Sequence, residues 1–150
     1  MQQKFDRRSS AGYLTNWAAR LFARAIDQKL KGLGVSSGQL PVFFALGDGG
    51  AMSQRALTEA AAIEQPTMAA TLSRMERDGL IVRQRDPEDG RSMLISLTPA
   101  AMEKAKQVRA AVSAVNGVAL DSMTKPEREQ FLETLRGVIG RLDASLPRED

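Results

Sequence analysis

The sequence predicts a mainly α fold with a small β-wing: a winged helix-turn-helix part flanked by N- and C-terminal helices. Three observations predict it. Over residues 53–79 two short helical patterns follow one another with only about four residues between them, and the second closes on a glycine. The runs Leu80-Ile81-Val82-Arg83-Gln84-Arg85 and Met93-Leu94-Ile95-Ser96-Leu97 then read as strands, with the hairpin signal Asp89-Gly90 between them. Outside that segment, apolar residues recur at spacings of three and four, the mark of amphipathic helices.

Taken in order, residues 10–33 carry Leu14, Trp17, Ala18, Leu21, Phe22, Ala25, Ile26 and Leu30 at helical spacing, and Gly32 and Gly34 break the helix. Ser36, with Gln39 three places on, resembles a capping box; its helix carries Leu40, Val42, Phe43, Phe44 and Leu46 until residues 47–50 end it. Ser53 is a good N-cap for a helix through Ala56, Leu57 and Ala60. Pro66 suits the first turn of the next helix, where its missing N–H would have had no intrahelical acceptor. That helix starts near Gln65 and ends on Gly79, with Leu80 giving the hydrophobic closure. After the two strands, Thr98 caps a helix with Pro99 at its first position; Met102, Ala105, Val108 and Val112 face inward, and the end falls near Asn116-Gly117. The last helix opens on Thr124 and Glu127 at capping-box spacing, with Pro126 between them, and carries Phe131, Leu132, Leu135, Val138, Ile139, Leu142 and Leu146. Its apolar stripe is wider than one neighbour needs, so the first and last helices are the candidate interface with a second chain. The organisation expected is one unit over residues 1–150, with the winged part at 36–98 and dimerisation helices at 10–34 and 99–146.

The helix that begins near Gln65 has two distinct faces. Met68, Leu72 and Met75 share the side that must bury. At about 100° per residue, Pro66, Thr67, Ala70, Ser73, Arg74 and Arg77 fall opposite. Small and hydrogen-bonding side chains with two guanidinium groups suit entry into a groove about 12 Å wide, where Thr, Ser and Arg meet base edges and phosphates. Arg83, Arg85 and Arg91 make the hairpin basic, and Asp86 or Asp89 is placed to pair with Arg91 and hold the loop. One exposed helix and one basic hairpin presented together point to duplex DNA.

At these residues the chain resembles the MarR family of bacterial transcription regulators. The likeness lies in Ile63-Glu64-Gln65-Pro66-Thr67, the run from Leu72 through Arg74, Glu76 and Gly79 to Ile81, the wing Asp86-Pro87-Glu88-Asp89-Gly90-Arg91 and the Leu97-Thr98 that follows. Four such pieces in the right order are specific where one alone is not, and the match extends weakly over roughly the whole chain. The resemblance implies a homodimer on a pseudo-palindromic double-stranded DNA operator, most often a repressor released by a small molecule. Residues 63–67 look closest to the SlyA branch, in which an Arg often occupies the position held here by Ala70. That departure tells against readout by a hydrogen-bonding side chain at Ala70. Readout then falls to Gln65, Thr67, Ser73 and Arg74, with Pro66 and Ala70 giving apolar contact to thymine methyls. Ser53, Arg77, Arg83, Arg85, Asp89 and Arg91 complete the expected DNA-binding set.

Charge tests this expectation. The net charge is +3, but residues 53–98 hold six Arg and seven acids, 6 − 7 = −1. Attraction to phosphate must therefore come from arrangement, with the arginines toward DNA and the acids turned away or paired. The near-neutral local charge keeps open a second reading, a winged-helix module that binds a protein and not DNA. With no Cys the chain has no thiol sensor, disulfide or thiolate metal site. With no His it has no His-based triad, and a transition-metal sensor site is not expected. There is no phosphate-binding glycine loop or other constellation for catalysis, so neither an enzyme nor a cofactor is expected. Without an apolar run of 18 or more residues or a signal-peptide pattern, a cytoplasmic protein with no membrane partner is expected. In the family the effector commonly lies between the dimerisation helices and the winged part. The aromatic and cationic residues nearest that boundary are Trp17, Arg20, Phe43 and Phe44, which suit a phenol or aromatic carboxylate, although ordinary core packing explains the aromatic residues as well.

Overall fold

A computed structural model describes residues 4–148. Helix α1 (Ala11–Lys29) begins where Ser10 accepts a hydrogen bond from the Tyr13 N–H, and Leu30 caps its end. It stops short of Leu33, because the chain turns through Gly32 and Gly34, both at positive φ, which a residue with a Cβ adopts at a cost. The Gln39 carboxamide oxygen then accepts from the Ser36 N–H at 3.2 Å, the predicted cap, and opens a 3-10 turn (Ser37–Gln39) that leads into α2 (Leu40–Leu46). Asp27 near the end of α1 holds this turn from outside, accepting from the N–H and hydroxyl of Ser37 at 2.7 and 3.0 Å.

Ser53 caps α3 (Gln54–Ala61), and α4 (Gln65–Arg77) follows after three residues. Strands β1 (Ile81–Arg85) and β2 (Met93–Leu97) pair antiparallel, with Arg83 opposite Ile95. Met52 exchanges two backbone hydrogen bonds with Ile95 and so adds an isolated third rung, for which no sequence signal was read. Asp89-Gly90 does not form a two-residue turn. Gly90 is not among the residues at positive φ, and the loop is closed by Asp86 N–H to Ser92 O and Ser92 N–H to Asp89 O. The wing is accordingly broader than a tight hairpin.

Helix α5 (Pro99–Ala119) runs through Gly117 and ends two residues later than the sequence suggests; one glycine costs about 1 kcal/mol relative to alanine and does not by itself end a helix. Helix α6 (Lys125–Ser145) opens on the predicted capping box, with Thr124 N–H to Glu127 Oε2 at 2.8 Å and Glu127 N–H to Thr124 Oγ1 at 3.3 Å.

The chain divides after Val115 into two compact units. The first holds the core, in which Leu46, Leu57, Met68, Leu72, Met75 and Ile95 are at most 1% exposed. In the second, no residue of α6 is buried, and Phe131, Leu132, Val138, Ile139, Leu142 and Leu146 are exposed. No helix among the described residues is long and apolar enough to cross a membrane.

Candidate nucleic-acid interface

The interface begins with the turn between α3 and α4. Ala62 closes α3 in the left-handed conformation, φ 53°, and sends the chain directly into α4, whose N-cap is Glu64 and whose second residue is Pro66. Met68, Leu72 and Met75 are fully buried and fix the rotation of α4 about its axis. Thr71 is buried beside them, so the inward face is wider than the three apolar residues alone indicated. With that rotation fixed, Gln65, Pro66, Thr67, Ala70, Ser73, Arg74 and Arg77 are all exposed, as the helical period predicts. Gly79, φ 72°, turns the chain into β1, and Thr98 locks this corner by donating its hydroxyl to the Gly79 carbonyl at 2.7 Å.

The structure separates the arginines into two groups. Arg55, Arg77 and Arg83 pair with Glu59, Asp78 and Glu76 at 3.4, 3.2 and 3.2 Å. Arg74, Arg85 and Arg91 have no carboxylate partner among the described residues, and all three are exposed. Three of the seven acids are thus engaged by arginines. Two more are engaged by backbone, since Asp86 Oδ1 accepts from the Glu88 N–H at 2.9 Å and Asp89 Oδ1 from the Arg91 N–H at 3.1 Å. The three pairs cancel within themselves and leave Arg74, Arg85 and Arg91 with Glu64, Asp86, Glu88 and Asp89, 3 − 4 = −1, so any attraction to phosphate rests on where the three arginines lie.

Some expected site residues are placed differently from the sequence reading. Asp89 holds the Arg91 backbone, not its guanidinium, because the loop folds the carboxylate back onto its own main chain. Arg83 is turned away from the outer surface: its side chain is 26% exposed and bonds Glu76 and, at 3.2 Å, Gln54. Strand alternation puts Arg83 on the face of the buried Ile81, and its bonds to Glu76 and Gln54 hold it there, whereas Arg85 of the same parity is exposed. Ser53 is half-buried, and its hydroxyl oxygen accepts from the Ala56 N–H at 3.1 Å, which leaves only its own O–H to donate elsewhere.

Trp17, Arg20, Phe43 and Phe44 are not gathered at one cleft. Phe43 and Phe44 line a cleft of about 140 Å³ between α2 and α5, with Ala105, Val108, Arg109 and Val112. Trp17 does not line it; its ring meets Tyr13 edge-on with centroids 6.5 Å apart, and the Arg7 guanidinium lies 5.0 Å from its centre. Arg20 donates to Asn16 Oδ1 at 2.9 Å. The cation on the cleft is Arg109, which pairs with Asp48 at 2.8 Å across 61 residues of sequence, a separation that no local pattern reveals.

Two exposed arginines on the wing and a third on the exposed face of α4 are elements and charges that suit a DNA duplex. A family profile described as the MarR family matches residues 33–92. The transcriptional regulator HosA of Escherichia coli O111:H- is 35% identical over 104 residues, 67% of this chain and 75% of HosA. The chain belongs to the MarR family. Its members are winged-helix transcription regulators that bind DNA. Two solved structures illustrate the architecture. The PcaV regulator from Streptomyces coelicolor, in complex with its natural ligand, superposes with a TM-score of 0.81 at 24% identity, covering 93% of this chain and 98% of PcaV. A mutant MarR from E. coli complexed with operator DNA gives 0.80 at 18% identity, covering 91% and 99%.

Proposed function

We propose that this chain works as a homodimeric repressor of a pseudo-palindromic operator and is released by a small aromatic or anionic effector. The observation that carries the reading is the set of exposed arginines with no carboxylate partner among the described residues, Arg74 on α4 with Arg85 and Arg91 on the wing. In this reading α4 enters the major groove, and Gln65, Thr67, Ser73 and Arg74 meet base edges there. Pro66 and Ala70 lie against thymine methyls, Arg77 assists at the backbone, and Arg85 and Arg91 grip phosphates alongside. The operator complex of the E. coli MarR supports the mode of docking. Residues 63–67 support a place near the SlyA branch.

Dimerisation gives the arrangement its mechanics. Two recognition helices held about 34–36 Å apart meet successive major grooves on one side of the duplex, and the exposed apolar residues of α6 suit a second copy. The effector site that fits is the cleft lined by Phe43, Phe44 and Arg109. Its volume is close to that of a cavity of about 150 Å³ that accepts benzene, so one aromatic ring stacks there while its carboxylate competes with Asp48 for Arg109. The ligand complex of PcaV supports the existence of such a site.

Selection of bound fragments from genomic DNA with the purified protein returns the operator and its half-site spacing. Fluorescence anisotropy on that operator then tests the mechanism: affinity falls steeply from low to physiological salt, and millimolar salicylate-class acids displace the DNA. Binding with a flat salt response, or no retained fragment, sinks the reading and favours a module with a protein partner.

A further inference from the structure

Arg83 sits at the middle of β1, opposite Ile95, which is fully buried. Its side chain is directed to the face of the sheet that packs on the helices, and there it spans two of them. Nε donates to Glu76 Oε2 on α4 at 3.2 Å, and Nη1 donates to Gln54 Oε1 at the start of α3 at 3.2 Å. It is 26% exposed, against 67% or more for the arginines paired with Glu59, Asp78 and Asp48. A guanidinium is a planar fork with donors in fixed directions, so two acceptors held by one fork are held relative to each other. Here the acceptors belong to both helices of the helix-turn-helix, and the fork belongs to the wing.

We propose that Arg83 is a positioning residue that sets the angle between the recognition helix α4 and the wing and makes no contact with DNA. The inference rests on the reading that α4 and the wing grip one duplex together. Two elements that must meet the same rigid partner lose affinity when their relative angle is free, because the partner must then order them on binding. Glu76 and Gln54 act with Arg83 as the two anchors of this brace. Glu76 accordingly serves DNA binding although it is an acid on a helix that faces phosphate.

That last point makes the test one of sign. Operator affinity is measured by fluorescence anisotropy across a salt series for Arg83→Ala, Arg83→Lys, Glu76→Ala and Arg85→Ala, with thermal melts of each. With Arg83 as a brace, Arg83→Ala and Glu76→Ala each weaken binding about tenfold and leave the slope of log affinity on log salt at the parent value. Arg83→Lys, which keeps the charge but has no fork to span both acceptors, stays weaker than the parent. Arg85→Ala, a phosphate contact, lowers the slope by about one. A phosphate-binding Arg83 gives the reverse: Glu76→Ala frees it, removes a negative charge and tightens binding, while Arg83→Ala lowers the slope by about one and Arg83→Lys restores it. Because Arg83→Ala also leaves two acceptors unpartnered and lowers stability, the Glu76→Ala arm decides, alanine being the best residue for an exposed helix position. Tighter binding by Glu76→Ala with a lowered slope in Arg85→Ala overturns the inference alone. An unchanged slope in Arg85→Ala removes the wing from DNA, and the inference with it.

Discussion

Arg74 and Arg91 differ in what they are expected to read. Arg74 projects from the exposed face of α4 among Thr67, Ala70 and Ser73, where a fork reaches base edges; Arg91 projects from a loop beside the groove, where phosphate is the partner. Arg74→Ala is therefore expected to cut discrimination between the operator and single-base variants, by about 1–3 kcal/mol at the affected position. Arg91→Ala is expected to weaken all sequences alike and to lower the salt slope by about one. Competition anisotropy with operator and scrambled duplexes separates the two, and equal behaviour of both variants and the parent ends the assignment. The face of α4 was legible because a helix with Met68, Leu72 and Met75 inside has only one outside. The bonds of Arg83 to Glu76 and Gln54 were not read from the sequence, although its parity with the buried Ile81 was available. The Arg109–Asp48 pair left no such trace.

At the scale of elements, the caps were the most legible features, since each is a local contract between side chain and backbone. Thr124 and Glu127 satisfy each other's N–H groups as their spacing announces. Thr124→Ala is expected to cost about 1 kcal/mol, and hydrogen exchange over the first turn of α6 localises the loss. The turn between α3 and α4 was not legible, because nothing in Ala62 advertises φ 53°. A left-handed alanine costs about 1–2 kcal/mol that glycine avoids, partly offset by the greater entropy glycine loses on folding. Ala62→Gly is expected to stabilise the protein by about 0.5 kcal/mol on this balance of terms, seen as a higher melting temperature, with operator binding retained. A lower melting temperature shows that the turn is not strained. The wing was found but its loop was not: Asp89-Gly90 marked a hairpin, while hydrogen bonds from Asp86 and Ser92 set a wider closure.

For the whole molecule, the telling feature is how little α6 buries. Ile139 and Leu142 are 64% and 60% exposed, an unusual state for large aliphatic residues of a helix with a well-formed cap. Each is worth about 1.5–3 kcal/mol on full burial, so a second chain on this face gains substantially. Ile139→Glu with Leu142→Glu is expected to convert a dimer to monomers in light scattering and to weaken operator binding at least a hundredfold, with the helical circular dichroism retained. A parent protein that is monomeric, or a variant that stays dimeric, removes α6 from the interface. Operator binding follows oligomeric state because one recognition helix reads only one half-site.

By itself the sequence determined the helices, their caps, the outward face of α4 and the strands of the wing, since these follow from spacings of two, three and four residues and from side chains that bond their own backbone. The tertiary structure alone decided that Arg83 bonds both Glu76 and Gln54, that Arg109 and not Arg20 borders the cleft, and that Met52 bridges to Ile95. The Arg83–Gln54 and Arg109–Asp48 contacts join residues 29 and 61 positions apart, where pairing is set by packing and not by local order.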